Sequence, residues 1–185
     1  MIGLKEKYNT EVIPKMMEKL GYKNRMAVPK IVKVVVNTGF GKMIAEKGSD
    51  EKKKFLAFIL EDLTMITGQK PVLTKARKSV SGFKLRRGME IGAKITLRRG
   101  RMFDFLERLI NITLPRSRDF EGIDAKSVDK SGNLTIAIKE HISFSEILPE
   151  RAKNIFGLEI TVITTAKNKE EGLELLRLMG FPIKK

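Results

Sequence analysis

Apolar residues recur at spacings of three and four from Leu4 to Leu20, with Val12, Ile13, Met16, Met17 and Leu20 on one stripe and Gly21 after them. That period predicts a helix over Leu4–Leu20 closed by Gly21, which Pro14 either kinks or divides. Pro29 then introduces "KIVKVVVNTGFG", a β-branched run that predicts a buried strand over Lys30–Thr38. Strict alternation would put Val32, Val34 and Val36 on one face and Ile31, Lys33, Val35 and Asn37 on the other. A second helical stripe, Phe55, Phe58, Ile59, Leu63 and Ile66, runs through "SDEKKKFLAFILEDLTMITG". Ser49 or Asp50 is placed to cap it, Gly68 to stop it, and Lys52–Lys54 reads as a solvated first turn.

Further along, "KPVLTKA" predicts a second strand and "MEIGAKITLRR" a third. In the third, Ile91, Ala93, Ile95 and Leu97 alternate with Gly92, Lys94, Thr96 and Arg98. "GRMFDFLERLINITLPR" predicts a helix that ends before Pro115. "DFEGIDAKSVDKSGN" is rich in turn formers and reads as loop. Two more alternating strands follow at 134–140 and 158–166, then a last helix that Asn168 is placed to cap. The order α-β-α-β-β-α-β-β-α lacks a regular βαβ repeat. It predicts an α+β fold: one domain over 1–185, with a mainly antiparallel five-stranded sheet, helices on one face and the other face open.

Between the second and third strands lies "TKARKSVSGFKLRRG", which holds six basic residues and no acid. A hairpin needs two to five residues at such a place, so the excess length points to a functional or a disordered segment. The net charge of the 185-residue chain is +15, and it is unevenly spread. Residues 70–101 carry 11 basic groups and 1 acid, whereas residues 102–185 carry 13 of each. A field this concentrated indicates a polyanionic partner. The chain has no cysteine, which excludes disulfides and thiolate metal sites, and no apolar run long enough to span a bilayer. The N-terminus lacks the continuous apolar stretch of a secretory signal.

Catalytic options are few. His141 is the only histidine, and no nucleophile motif accompanies it. "NTGFGK" lacks the spacing of a phosphate-binding loop, with Met43 standing where a metal-binding hydroxyl belongs. The expectation is a protein that is not an enzyme and holds no metal or cofactor. By contrast, Lys94, Thr96 and Arg98 fall on one strand face at every second position, as do Lys33 and Asn37 on the first strand. Cations neutralise phosphates, and hydroxyls and amides hydrogen-bond ribose and phosphate oxygens, so this face suits the shallow minor groove of folded RNA. Two other readings compete. An RNA-processing enzyme would draw on Asp104, Glu107 or His141, and a membrane-surface binder on Val80, Phe83 and Leu85 among the cations.

The strings "VVVNTGFG", "ITGQKPVLTKARKSVSGFKLRRG", "IGAKITLRR", "RLINITLPRSRDF" and "LEITVITTAKNKEEGLELLRLMGFP" occur in the order seen in a known family. Over essentially its whole length the chain resembles the bacterial-type 5S rRNA-binding ribosomal proteins, large-subunit protein five. Thr38 stands where methionine is common there, Ser81 where alanine is, and Arg87 where glutamine or glutamate is. The resemblance implies a cytoplasmic ribosomal protein, monomeric within the large subunit, that docks 5S rRNA in the central protuberance. It implies 5S rRNA contacts at Asn37, Gln69 and Thr96, with Lys33, Lys94 and Arg98 on phosphates. It also implies that the loop at about 75–88 (Lys75, Arg77, Lys78, Ser79, Val80, Ser81, Gly82, Phe83 and Lys84) reaches P-site tRNA. Large-subunit 23S-type rRNA and, across an intersubunit bridge, small-subunit protein thirteen are further implied partners, with no membrane among them.

Overall fold

The computed structural model describes residues 3–45, 47–118, 120–148, 150 and 154–184. Helix α1 runs through Leu4–Lys7, a π-helical turn at Tyr8–Val12, and Ile13–Leu20. Strand β1 is Ile31–Gly39, α2 the short Gly41–Ala45, α3 Ser49–Thr67, β2 Val72–Lys75 and β3 Glu90–Leu97. Helix α4 is Arg99–Arg108 continued by a π-helical turn, Leu109–Thr113, and by Leu114–Arg116. Strands β4, Leu134–Ile138, and β5, Leu158–Thr164, precede α5, Lys169–Met179. The strands form one five-stranded sheet in the order β2-β3-β1-β5-β4. The fold is α+β with an antiparallel sheet, as the alternation of strand and helix patterns predicts.

Both prolines inside helices are handled in the same way. Proline has no N–H, and its ring clashes with the carbonyl four residues back. At Pro14 and Pro115 the preceding turn widens to π geometry, which moves that carbonyl out of the way, and the helix continues. Pro14 thus opens the second part of α1. The expected stop before Pro115 is corrected, because α4 passes through it to Arg116. The helix ends follow the sequence signals elsewhere. Gly21 and Gly68 take left-handed conformations at the C-caps, and Asn168 Oδ1 accepts from Glu171 N–H at 2.9 Å. Helix α3, however, starts one residue earlier than a Ser49 cap requires and two earlier than an Asp50 cap does. Its N-cap is Gly48, with no side-chain bond.

The chain divides into two compact units, residues 1–35, 97–136 and 160–185 in one and 36–96 and 137–159 in the other, and the cuts fall within β1, β3, β4 and β5. In the first unit, Lys19 Nζ pairs with Glu174 at 2.9 Å and Lys7 Nζ donates to Met179 C=O at 3.5 Å, which ties α1 to α5. The turn before β4 is tied to α5 by a glycine pair. A Cβ on Gly172 would lie 2.3 Å from the Gly132 Cα, so neither position accepts a side chain. Asp129 organises that turn, accepting from the N–H groups of Ser131 and Asn133 at 2.9 and 2.8 Å. The Asn133 Nδ2 group, which donates to Oδ2 at 2.9 Å, and then these backbone bonds hold its carboxyl below the usual range.

In the second unit, Phe55, Ile59, Leu63 and Ile66 of α3 are buried with Phe40, which meets Phe55 edge-on at 6.2 Å. "NTGFGK" is therefore a core plug leading into α2. Asp62 lies on the same buried stripe, only 4% exposed, and faces the wholly buried His141. Phe156 N–H donates to His141 Nδ1 at 3.4 Å, so the proton of neutral His141 sits on Nε2, 3.3 Å from Asp62 Oδ2. The imidazole stacks on Phe156 at 4.0 Å. Burial, helped by Glu61, pushes the Asp62 carboxyl up to about 6, and burial pushes His141 down.

The two shifts act on stability in opposite directions. The raised Asp62 value costs stability as pH climbs from about 4 through about 6, and the lowered His141 value costs stability as pH falls below about 6.5. Asp62→Asn keeps a side-chain oxygen beside Nε2–H and removes the first cost. It is expected to match wild type below pH 4 and to gain stability above pH 6, with a ceiling of about 3 kcal/mol. Urea unfolding midpoints of both proteins from pH 4 to 8 check this, and a pH-independent difference would contradict it.

Candidate nucleic-acid interface

Alternation along β3 decides which side chains reach solvent. Ala93 and Ile95 are buried, Lys94 is exposed and Thr96 half-buried between them. Along β1, Val34, Val36 and Thr38 are buried, and Lys33, Val35 and Asn37 lie outward. The start of β1 departs from the expected alternation. Ile31 is buried and Val32 exposed, the reverse of the burial that the same two faces show from Lys33 onward. Thr38 keeps its place in the core by donating from Oγ1 to Gly157 C=O at 2.8 Å.

Within the second unit, four of the expected contact residues are brought close. Phe40 N–H donates to Ile91 C=O at 2.9 Å, and counting back along that antiparallel pair sets Asn37 opposite Lys94. Gly68 ends α3 in a left-handed turn, Thr67 Oγ1 receives Gln69 N–H at 3.4 Å, and Gln69 Nε2 donates to Thr96 C=O at 3.4 Å. Gln69 and Thr96 are thereby joined, although 27 residues separate them. Lys33 and Arg98 belong to the first unit, half-buried and exposed respectively. Asn37 has a partner the sequence did not suggest: its Nδ2 donates to Glu159 Oε2 at 3.3 Å.

Gly92 makes the packing of these strands possible. In register with Thr74 of β2, it sits where a Cβ would come within 2.7 Å of both Thr38 C=O and Thr74 Oγ1. Just beyond, the β2–β3 register slips between Thr74 and Lys75, and the basic segment leaves the sheet.

That segment has internal structure. Ala76 is buried and exchanges bonds with the far side, its N–H donating to Met89 C=O at 2.8 Å and its C=O accepting from Gly88 N–H at 2.9 Å. Val80 and Leu85 bond reciprocally at 3.0 and 3.1 Å around a 3₁₀ turn at Ser81–Phe83. Ser79 Oγ accepts from Arg87 N–H at 2.9 Å. Ala76 and Leu85, whose Cδ2 approaches Gly41, anchor the loop, whereas Val80 is exposed. Phe83 is 71% exposed at the tip. Lys75, Arg77, Lys78, Lys84, Arg86 and Arg87 are all exposed, and among the described residues none of them is in an ion pair. Lys84 (φ 52°) and Arg99 (φ 54°) are the described non-glycine residues with positive φ. Lys53 and Lys54 are exposed and Lys52 half-buried, and Lys52 and Lys53 border an open groove of about 420 Å³ with Arg86 and Met89.

The competing chemistry finds little support. His141 is sealed in the core, and no group of three or more histidine or acidic side chains among the described residues is arranged to hold a metal. No described helix is long and apolar enough to cross a membrane.

Gly92→Ala is expected to lower stability by about 1–3 kcal/mol, because a backbone carbonyl must move to admit the methyl. A urea midpoint equal to that of wild type would show that the strands are less tightly set than 2.7 Å implies.

Residues 24–86 match the sequence profile of the family described as ribosomal protein L5, and residues 90–183 match the profile of that ribosomal family's C-terminus. The chain is 50% identical over 182 residues to the large ribosomal subunit protein uL5 of Halothermothrix orenii, with 98% of each chain covered. It is 50% identical over 185 residues to uL5 of Desulfatibacillum aliphaticivorans, with 100% of each covered. With uL5 of Geotalea daltonii the identity is 48% over 184 residues, covering 100% of this chain and 99% of the relative.

Proposed function

The chain belongs to the ribosomal protein L5 family, structural and non-enzymatic proteins of the large subunit of the cytoplasmic ribosome, and we propose that its open strand face grips 5S rRNA there. Asn37, Gln69 and Thr96 supply hydrogen bonds to ribose and phosphate oxygens. Lys94, with Lys33 on β1 and Arg98, which lies just past the end of β3 as the N-cap of α4 and not on the strand, neutralises phosphates. This grip helps attach 5S rRNA to the central protuberance. The basic loop from Lys75 through Arg77, Lys78, Ser79, Val80, Ser81, Gly82, Phe83 and Lys84 extends to P-site tRNA, with cations on phosphates and Phe83 free to pack on a sugar or base. Large-subunit 23S-type rRNA and small-subunit protein thirteen complete the set of partners.

The observation that carries this reading is the placement of charge. Six exposed cations, none paired with a described acid, stand on a hydrogen-bonded loop that leaves the sheet beside a polar strand face. A general solubility charge would include acids among them.

Affinity for 5S rRNA is expected to fall with salt, with a log–log slope of roughly −0.7 to −0.9 per phosphate contacted. Thr96→Val should weaken that binding by about 1–3 kcal/mol by leaving an RNA group unpaired. Replacing Lys75, Arg77 and Lys78 together with alanine should leave 5S rRNA binding nearly intact and reduce protection of P-site tRNA in ribosome footprinting. Filter binding at several salt concentrations and the footprint measure both, and equal loss of 5S rRNA binding in the two variants contradicts the division of labour.

A further inference from the structure

One side chain beside Asn37 has the wrong sign for a phosphate. Glu159 is exposed on β5, and it accepts the Asn37 Nδ2 hydrogen bond at 3.3 Å. On a surface selected only for binding a polyanion, an exposed carboxylate at this point opposes binding. It stands at the wall of a shallow groove of about 310 Å³, lined among others by Asn37, Gly39, Ala137, Lys139 and Gly157. Two glycines and an alanine leave little side chain in the groove. Gly157 is constrained further, since a Cβ there would lie 3.3 Å from Ile138 C=O. The floor is braced by the Thr38 Oγ1 bond to Gly157 C=O at 2.8 Å.

The hydrogen bond between Asn37 and Glu159 decides what the groove offers. Because Nδ2 gives one of its two N–H groups to Oε2, the pair offers, besides the second N–H, mainly acceptors: Asn37 Oδ1 and the second carboxylate oxygen of Glu159. Acceptors reject phosphate and take N–H groups. Among the bases, guanine carries two neighbouring donors, N1–H and the N2 amino group, on its Watson–Crick edge. Cytosine and adenine pair one amino group with an acceptor, and uracil flanks its single N–H with two carbonyls.

We propose that this groove holds the Watson–Crick edge of one unpaired guanine of the bound RNA, with Glu159 accepting its N–H groups and Lys139 on the neighbouring phosphate. Glu159 is then a specificity-determining residue, and Asn37 orients it. The assignment rests on the RNA-binding role proposed for this face, and it adds recognition of a particular base to contacts that are otherwise blind to sequence.

The test uses the full chain and a 5S rRNA transcript, with synthetic versions carrying inosine, which lacks the N2 amino group, at each unpaired guanine in turn. Glu159→Gln is nearly isosteric at an exposed position, and far-UV circular dichroism checks that the fold is kept. It is expected to weaken binding about tenfold with an unchanged salt slope, since no phosphate contact is lost. One inosine position is expected to weaken wild type and to add nothing to the loss in Glu159→Gln, the signature of a shared contact. Equal or tighter binding by Glu159→Gln overturns the proposal, tighter binding marking a carboxylate that only repels phosphate. Loss in Glu159→Gln with no sensitive inosine position overturns guanine as the ligand. Failure of wild type to bind the transcript at all overturns the RNA-binding role itself, whereas normal wild-type binding with an indifferent Glu159→Gln overturns the guanine site alone.

Discussion

The two-residue period of the β-strand makes one strand serve as both core and polar surface. In β3, Ala93 and Ile95 are buried while Lys94 and Thr96, one peptide unit away from each, face outward. A slip of one residue would exchange the two sets, burying a lysine and exposing an isoleucine. The polar face therefore needs no separate scaffold, because its spacing is held by the burial energy of the opposite side. The missing side chain of Gly92 serves the same end, allowing Thr74 and the Thr38 carbonyl to close in around β3.

Charge is organised by a comparable division. The strands present isolated cations among hydroxyls, amides and small residues, whereas the loop concentrates its cations with an exposed phenylalanine and no acid. The first arrangement suits a surface that must fit one shape. The second suits a projecting element that must attract at a distance before it touches. Glu159 stands apart from both, an exposed carboxylate tied to Asn37 by a hydrogen bond.

Most of the fold was legible because it rests on local periodicity. The helical stripe of α3, the alternation in β3 and the Asn168 cap are all visible within a window of a dozen residues. What stayed hidden depended on pairs distant in the chain. Asp62 follows Glu61 and reads as half of a solvated acidic pair, yet it lies three residues after Ile59 and four before Ile66, on the buried stripe. That spacing was an available signal. Nothing in the sequence could show that His141 would stand opposite it. Asn37 and Glu159 lie 122 residues apart and meet only because β1 and β5 are neighbours. The fate of Pro115 was misjudged for a different reason: a π turn leaves no compositional mark, so a tolerated proline and a terminating one look alike. In the basic loop, length and charge suggested an arm, but Ala76, Ser79 and Leu85 give it order through backbone bonds that depend on register more than on residue type.

The hydrogen bonding inside that loop bears on the thermodynamics of any encounter it makes. A structureless arm would surrender its backbone freedom on contact, at roughly 1–2 kcal/mol for each residue fixed. The reciprocal bonds between Val80 and Leu85, and those that close Ala76 onto Met89 and Gly88, discharge much of that entropy when the chain folds. What remains to be ordered on contact is mainly the side chains of the cations and of Phe83. Engagement and release can then be fast, because neither has to wait for a segment of backbone to form or melt.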